Sequence, residues 1–102
     1  MKERFDSRSP LWSNDINYNI MYVKMAENYL NERLLSRGFV TVFDIYNHLG
    51  LPIDLDELQS EVLLKGLDKI ILYDITKNNC VIDFRMQPNE SDGTILLDFN
   101  VD

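Results

Sequence analysis

The chain is 102 residues long, 45% of them hydrophobic and 26% charged, which allows one globular domain around one core and excludes a disordered or fibrous protein. Its formal net charge of −7 comes from residues 51–102, which carry eleven acidic and four basic side chains, whereas residues 1–50 carry six of each. This acidic balance argues against binding to nucleic acid or to anionic membranes, and it favours a protein partner with a basic surface.

Residues 1–13 are polar and predict an irregular tail that docks on the domain through Leu11 and Trp12. The first ten residues carry five charges and lack the apolar segment of a secretory signal. The longest apolar run, Ile70–Tyr73, is far shorter than the ~20 residues of a membrane-spanning helix, and a single cysteine excludes an internal disulfide. We therefore expect a cytoplasmic protein, with no membrane contact, whose single domain covers residues 14–102.

The first predicted helix runs from about Asn14 to Arg37 and ends where Gly38 can take the left-handed conformation. Two apolar stripes run along this helix, about 140° apart around its axis. The first stripe is predicted to face the core and contains Ile16, Ile20, Val23, Leu30 and Leu34. The second contains Tyr18, Tyr22, Met25 and Tyr29. The sector predicted to face solvent contains Asn17, Lys24, Asn28, Asn31 and Glu32.

Two interpretations of the second stripe remain open. In one, the helix is central in the domain and is buried on two sides. In the other, the stripe binds another protein or a second copy of the chain, because tyrosine and methionine are enriched at protein interfaces.

Two short helices are predicted next. One is Val42–Leu49, capped by Thr41, and the other runs from Asp54 to about Lys65 after the turn at Pro52. The pair has the spacing of a helix-turn-helix, and the strands that follow could form a wing. Because the second of these helices is acidic and has Lys65 as its only base, we expect a structural helix corner and no nucleic-acid binding. Its acidic side chains form a candidate protein-binding surface and are Asp54, Asp56, Glu57, Glu61 and the nearby Asp68.

The remainder of the chain predicts three strands, at residues 69–75, 80–86 and 95–101. In the second of them, one face of the strand carries Ile82, Phe84 and Met86, and the other carries Val81, Asp83 and Arg85. The overall prediction is an α+β domain in which a long N-terminal helix and two short helices pack on a small, mostly antiparallel, three-stranded sheet.

No residue pattern predicts catalysis, a cofactor or a metal site. His48 is the single histidine, and it is predicted at the C-terminal end of its helix, where a cation is favoured. Cys80 has no cationic residue nearer than Lys77 to activate its thiol. Asp83 and Asp98 fall on the polar faces of two predicted strands, where they could hold a divalent ion or could simply be solvated. Without a glycine-rich phosphate loop or a catalytic set, we expect that the protein is not an enzyme.

Four segments resemble a group of small, uncharacterised proteins of tailed bacteriophages and prophages. These segments are Arg37-Gly38-Phe39-Val40, Leu49-Gly50-Leu51-Pro52, Ile82-Asp83-Phe84 and Leu97-Asp98-Phe99-Asn100-Val101-Asp102. The resemblance covers residues 25–52 and 81–102. This chain differs from the group after Pro52, where Ile-Asp-Leu-Asp replaces basic and threonine residues, and it lacks a tryptophan before its first predicted strand. The resemblance implies a phage context and no activity, and it implies shared roles for Gly38, Gly50, Pro52, Asp83 and Asp98.

Three hypotheses about function follow. The first is a non-enzymatic protein-interaction module of a phage or mobile element, one version of which inhibits a nucleic-acid-binding protein of the host's defence by occupying its basic groove. The second is a structural or assembly component of the phage particle that self-associates through the tyrosine and methionine stripe. The third is a winged-helix DNA-binding protein, against which the charge argues.

Overall fold

The structure of the protein, a computed structural model, describes residues 1–54, 56, 59, 70–77 and 81–101. Within these residues the elements are β1 (Lys2–Phe5), α1 (Ile16–Arg37), β2 (Phe39–Thr41), α2 (Val42–Leu49), β3 (Ile71–Asp74), β4 (Gln87–Pro88) and β5 (Ile95–Asp98). The predicted α+β class is confirmed. The third predicted helix falls mostly outside the described residues.

Helix α1 begins and ends at local signals in the sequence. The Asp15 carboxylate caps its first turn, accepting a hydrogen bond from the Asn17 amide at 3.0 Å. At the other end Gly38 has φ +94°, and its amide donates to the Leu34 carbonyl. The side that faces the core is fully covered and contains Asn19, Val23, Ala26, Leu30 and Leu34.

Helix α2 has the predicted bounds because both of its ends are capped. The Thr41 hydroxyl accepts from the Asp44 amide, and the Asp44 carboxylate accepts from the Thr41 amide, which is a capping box. Gly50 closes the helix with φ +69°. Ile45 and Leu49 point into the core.

The strands of the described residues form two antiparallel sheets, with the orders β1-β5-β4 and β2-β3, in place of the single sheet that was predicted. The N-terminal segment differs from the predicted irregular tail, because residues 2–5 form β1 and pair with β5, with Phe5 opposite Ile95. Phe5 is buried while Lys2 and Arg4 are exposed. A four-residue strand with one buried apolar side chain has too little alternation to be recognised in a sequence.

The rest of the N-terminal segment docks as predicted. Leu11 and Trp12 are partly buried against the core, and the Trp12 indole donates to the Gly93 carbonyl at 2.9 Å. The buried Asn19 side chain donates to the same carbonyl and also binds both backbone groups of Ser13. Residues 1–13 are therefore attached to α1 and to the loop before β5.

Residues 80–86 were predicted to be a strand, and the structure places the described part, residues 81–86, as an extended segment outside the strand ladders. Ile82 and Phe84 are buried and their neighbours in the chain are exposed, so the predicted alternation is confirmed. The backbone is held by hydrogen bonds to helix side chains and to residues 98–100, and not by a continuous strand ladder. Asn31 of α1 binds both the amide and the carbonyl of Ile82, at 2.8 and 3.0 Å, and the Glu27 carboxylate accepts from the Phe84 amide at 2.8 Å. The prediction that Asn31 faces solvent was therefore wrong.

The core lies between α1, α2 and the two sheets. Its largest fully buried side chains are Phe5, Leu30, Leu34, Ile45, Leu49, Tyr73, Ile82, Phe84, Ile95, Leu97 and Phe99. Among the described residues, no helix has the length and apolar character that crossing a bilayer requires.

Candidate protein interface

The side of α1 that faces away from the core carries large apolar residues. Tyr18, Met21, Met25 and Tyr29 are exposed by 40, 54, 59 and 45%. We call these four residues the α1 face. Three of them belong to the predicted second stripe, whose fourth member, Tyr22, is half-buried. The structure thus covers one side of α1 and leaves the side with most of that stripe exposed.

Aromatic rings support the α1 face from below. The Tyr22 ring stacks between Phe5, at 5.8 Å, and Tyr18, at 6.5 Å between ring centroids. His48 of α2 lies next to Tyr22 and stacks on Tyr29 at 4.5 Å with the rings nearly parallel. The Tyr22 hydroxyl donates to the His48 carbonyl at 2.7 Å. These contacts fix the tyrosine rings, so that a partner would have to order few side chains on binding.

His48 lies in the last turn of α2, as predicted, but its environment disfavours the charged form. Burial between the two tyrosine rings, and then the nearby Arg33 guanidinium, lower the pKa of His48 below its ordinary value of 6.5. The imidazole is therefore neutral near pH 7. It serves as a flat ring for stacking, and not as the cation that the helix end would favour.

Two arginines border the C-terminal end of the α1 face. The Arg37 guanidinium pairs with the Asp44 carboxylate and lies over the Phe39 ring at 4.2 Å. Burial alone would raise the pKa of Asp44, but hydrogen bonds from Thr41 and Arg37 lower it. Arg33 lies further away, with its Nε atom 3.9 Å from Asp44.

A shallow cavity of about 450 Å³ lies at the junction of these arginines and the α1 face, where Arg33 donates a hydrogen bond to the Tyr29 hydroxyl at 3.2 Å. It is lined by Tyr29, Glu32, Arg33, Ser36 and Arg37. The polar end of the surface is therefore mixed in charge, with both arginines next to acidic side chains.

The predicted acidic surface is described only in part. Asp54 and Asp56 are exposed. Glu57, Glu61 and Asp68 lie outside the described residues, so the arrangement of the five side chains stays a prediction.

The two aspartates considered as an ion site make different contacts. The Asp83 carboxylate accepts from the Arg85 amide at 2.9 Å, where Arg85 has φ +47°, and the Asp83 amide donates to the Asn100 side chain. Asp98 is bound through its amide to the Phe84 carbonyl. In the part of the chain that the structure describes, no three His, Cys, Asp or Glu side chains are grouped to hold a metal ion. Cys80 is not among the described residues.

Sequence reasoning missed two features of this surface. Met21 lies about 60° from Tyr18 around α1, and a wider sector of the helix would have included it. The stacking of His48 on Tyr29 joins residues of different helices, and no pattern within one segment could have indicated it.

A family model matches residues 2–57, which is more than half of the chain and includes β1, α1, β2 and α2. The chain belongs to DUF6353, a family of unknown function. The part of this DUF6353 protein that the family model covers contains the whole α1 face and the aromatic rings beneath it. Comparisons with curated proteins and with solved structures found no match.

Proposed function

We propose that this DUF6353 protein is a non-enzymatic protein-interaction module whose binding surface is the α1 face. The observation that carries the proposal is the exposure of Tyr18, Met21, Met25 and Tyr29 on one side of a helix whose other side forms the core. Large apolar side chains grouped on a surface are typical of binding sites.

The chemistry of the α1 face favours a protein partner. Tyrosine offers a large apolar ring with a polar edge, and methionine adapts its shape to an irregular apolar surface. Because Tyr22 and His48 already hold the Tyr18 and Tyr29 rings in place, these two tyrosines lose little side-chain entropy on binding. The partner that fits is an apolar groove long enough to contact about three turns of a helix.

The net charge favours a partner whose binding groove has basic residues at its rim. With eleven acidic and four basic side chains in residues 51–102, the protein attracts a basic surface more strongly than an acidic one. The resemblance to phage and prophage proteins supports a partner in a bacterial host. An inhibitor of a host nucleic-acid-binding protein is the version that unites these observations.

The test compares two variants of tagged protein. Met21→Ala/Met25→Ala removes two exposed side chains of the α1 face, and alanine maintains the helix. Ile75→Ala/Val81→Ala removes two exposed apolar side chains elsewhere and is the matched control. A partner captured from bacterial lysate in the presence of nuclease should bind the α1 variant at least about tenfold more weakly, and it should bind the control like the wild type. If both variants lost binding equally, or if neither variant lost binding, the proposal would be contradicted.

The basic rim is tested on the same captured partner. Reversing the charge at Asp54 and Asp56, as Asp54→Lys/Asp56→Lys, should weaken binding and reduce its dependence on salt concentration. Unchanged affinity would contradict the proposal that the protein inhibits a nucleic-acid-binding protein. The α1 face would still be the proposed binding surface.

The same face supports a second candidate, a particle component that self-associates. Sedimentation of the wild type over a range of concentrations separates the two. Association that Met21→Ala/Met25→Ala abolishes favours the second candidate, whereas a monomer at all concentrations excludes it.

A further inference from the structure

The outer edge of β1 makes side-chain hydrogen bonds that an exposed strand edge normally lacks. In the sheet order β1-β5-β4, and within the described residues, no strand lies on the side of β1 away from β5. An exposed edge of this kind presents unpaired amides and carbonyls to which another strand can add.

The direction of each backbone group in β1 follows from the register. The Met1 carbonyl accepts from the Phe99 amide, and Glu3 and Phe5 are opposite Leu97 and Ile95. Because alternate residues of an antiparallel strand face the same neighbour, the backbone groups of Arg4 point outward.

Both outward groups of Arg4 are occupied by side chains of the same segment. The Glu3 carboxylate accepts from the Arg4 amide at 2.8 Å, and the Arg8 guanidinium donates to the Arg4 carbonyl at 2.9 Å. Glu3 and Arg8 also bind each other at 2.9 Å. The two side chains together therefore occupy the hydrogen-bonding positions that a neighbouring strand would use.

Both side chains are held in place by further contacts. The Tyr46 hydroxyl of α2 donates to Glu3 at 2.7 Å, and the Asp6 carboxylate accepts from the Arg8 Nε at 2.8 Å. Burial alone would raise the pKa of Glu3, but the hydrogen bonds from Arg4, Arg8 and Tyr46 lower it, so the carboxylate is charged near pH 7.

We infer that Glu3 and Arg8 form a clamp that closes the outer edge of β1 against pairing with β1 of a second copy of this chain. The Glu3–Arg8 pair is only partly buried, and ion pairs near the surface contribute little to stability, so its position on the Arg4 backbone is the feature that needs an explanation. The register that pairs two β1 strands about a twofold axis at Glu3 would use the outward groups of Lys2 and Arg4. It would also place Lys2 opposite Arg4 of the other copy, and this repulsion adds to the effect of the clamp.

The test opens the clamp with Glu3→Thr/Arg8→Thr, since threonine favours strands and is too short to reach the Arg4 backbone groups. The control is Lys77→Thr/Glu90→Thr, which removes one base and one acid from exposed turns. Two quantities are measured. They are the exchange rate of the Arg4 amide in dilute protein and the sedimentation of concentrated protein at about 1 M salt, where charge repulsion is screened within about 3 Å.

We expect the Arg4 amide of the clamp variant to exchange about tenfold faster than in the wild type, the equivalent of one hydrogen bond of typical strength. We also expect the clamp variant to form more dimers or larger species than the wild type and the control form. Adding Arg4→Pro should reverse this association, because proline removes the outward amide without a loss of pairing to β5.

Unchanged exchange, unchanged sedimentation, or association that Arg4→Pro does not reverse would each overturn the inference. If the double variant does not fold, Arg8→Thr alone uncovers the Arg4 carbonyl and leaves Glu3 bound to Tyr46. It should still associate more than the wild type, and equal sedimentation would overturn the inference in the same way.

Discussion

At the scale of single residues, two glycines with similar backbones differ in what surrounds them. Gly38 and Gly50 both have positive φ, at +94° and +69°, and both end a helix. Among the residues that the structure describes, a Cβ on Gly38 would approach only Ile75, at 3.6 Å, whereas a Cβ on Gly50 would lie 2.7 Å from the Ser9 hydroxyl. That hydroxyl donates to the Leu49 carbonyl at 2.6 Å, so the absence of a side chain at position 50 is what lets residues 9–11 dock.

We therefore predict that Gly50→Ala destabilises the protein more than Gly38→Ala. Both variants have the cost of a left-handed alanine, about 1–2 kcal/mol. Gly50→Ala must also displace Ser9 from a buried hydrogen bond, which adds about 1–3 kcal/mol. Urea unfolding of the two variants measures the difference, and equal losses would show that the docking of Ser9 does not depend on Gly50.

His48 gives the protein a pH dependence of its own. Because burial and Arg33 lower the pKa of His48 below 6.5, the unfolded chain binds the proton more readily than the folded one. The contribution of His48 to the free energy of unfolding is complete above about pH 6.5, the ordinary pKa, and is lost as the pH falls from there through the lower pKa of the folded state. His48→Gln should flatten the change in stability between about pH 8 and about pH 5.5. An equally steep change in the variant would assign the pH dependence to other groups.

At the scale of elements, the sequence predicted what is encoded locally. The ends of α1 and α2 depend on Asp15, Gly38, Thr41 and Gly50, and each acts within a few residues, so the predicted helix ends were confirmed to within about two residues. The second stripe of α1 was predicted by the same periodicity as its buried side, but the sequence left open whether that stripe is buried or exposed.

Contacts between distant segments were not predictable in this way. The side chain of Asn31 binds the Ile82 backbone in the place of a neighbouring strand. An asparagine on a helix is normally predicted to face solvent, and only the position of the segment that contains Ile82 shows otherwise. The pairing of β1 with β5, and the stacking of His48 on Tyr29, likewise depend on the tertiary arrangement.

Asn31→Ala tests whether α1 holds the extended segment. The change leaves the Ile82 amide and carbonyl without their partner, at a cost of about 1–3 kcal/mol. Asn28→Ala, at an exposed position of the same helix, is the control and should stabilise by up to about 0.7 kcal/mol through helix propensity. Urea unfolding compares the two. Equal stability would mean that the Ile82 backbone finds other partners.

At the scale of the whole molecule, the net charge distinguishes DNA binding from protein binding, since the fold is compatible with both. Two helices followed by strands are compatible with a winged helix, but a net charge of −7 opposes contact with phosphates. The six bases of residues 1–50 are matched by six acids, and Arg8 and Arg37 are paired with carboxylates.

We predict that the protein does not retard duplex DNA, even at low salt where electrostatic binding is strongest. The gel-shift assay should include the Asp54→Lys/Asp56→Lys variant, which raises the net charge by about four units. Retardation by the wild type that weakens on addition of salt would revive the winged-helix hypothesis.

The sheet that contains β1 has its central strand, β5, near the opposite end of the sequence. During synthesis, β1 leaves the ribosome long before residues 95–98 exist, and until then neither β1 nor β4 has its partner strand. A nascent chain can form α1 and α2 early, because their caps and turns are local, but Phe5 has no cover from Ile95 at that stage. Folding of this sheet therefore waits until residues 95–98 have been synthesised, and a product that stops before residue 95 lacks the sheet altogether.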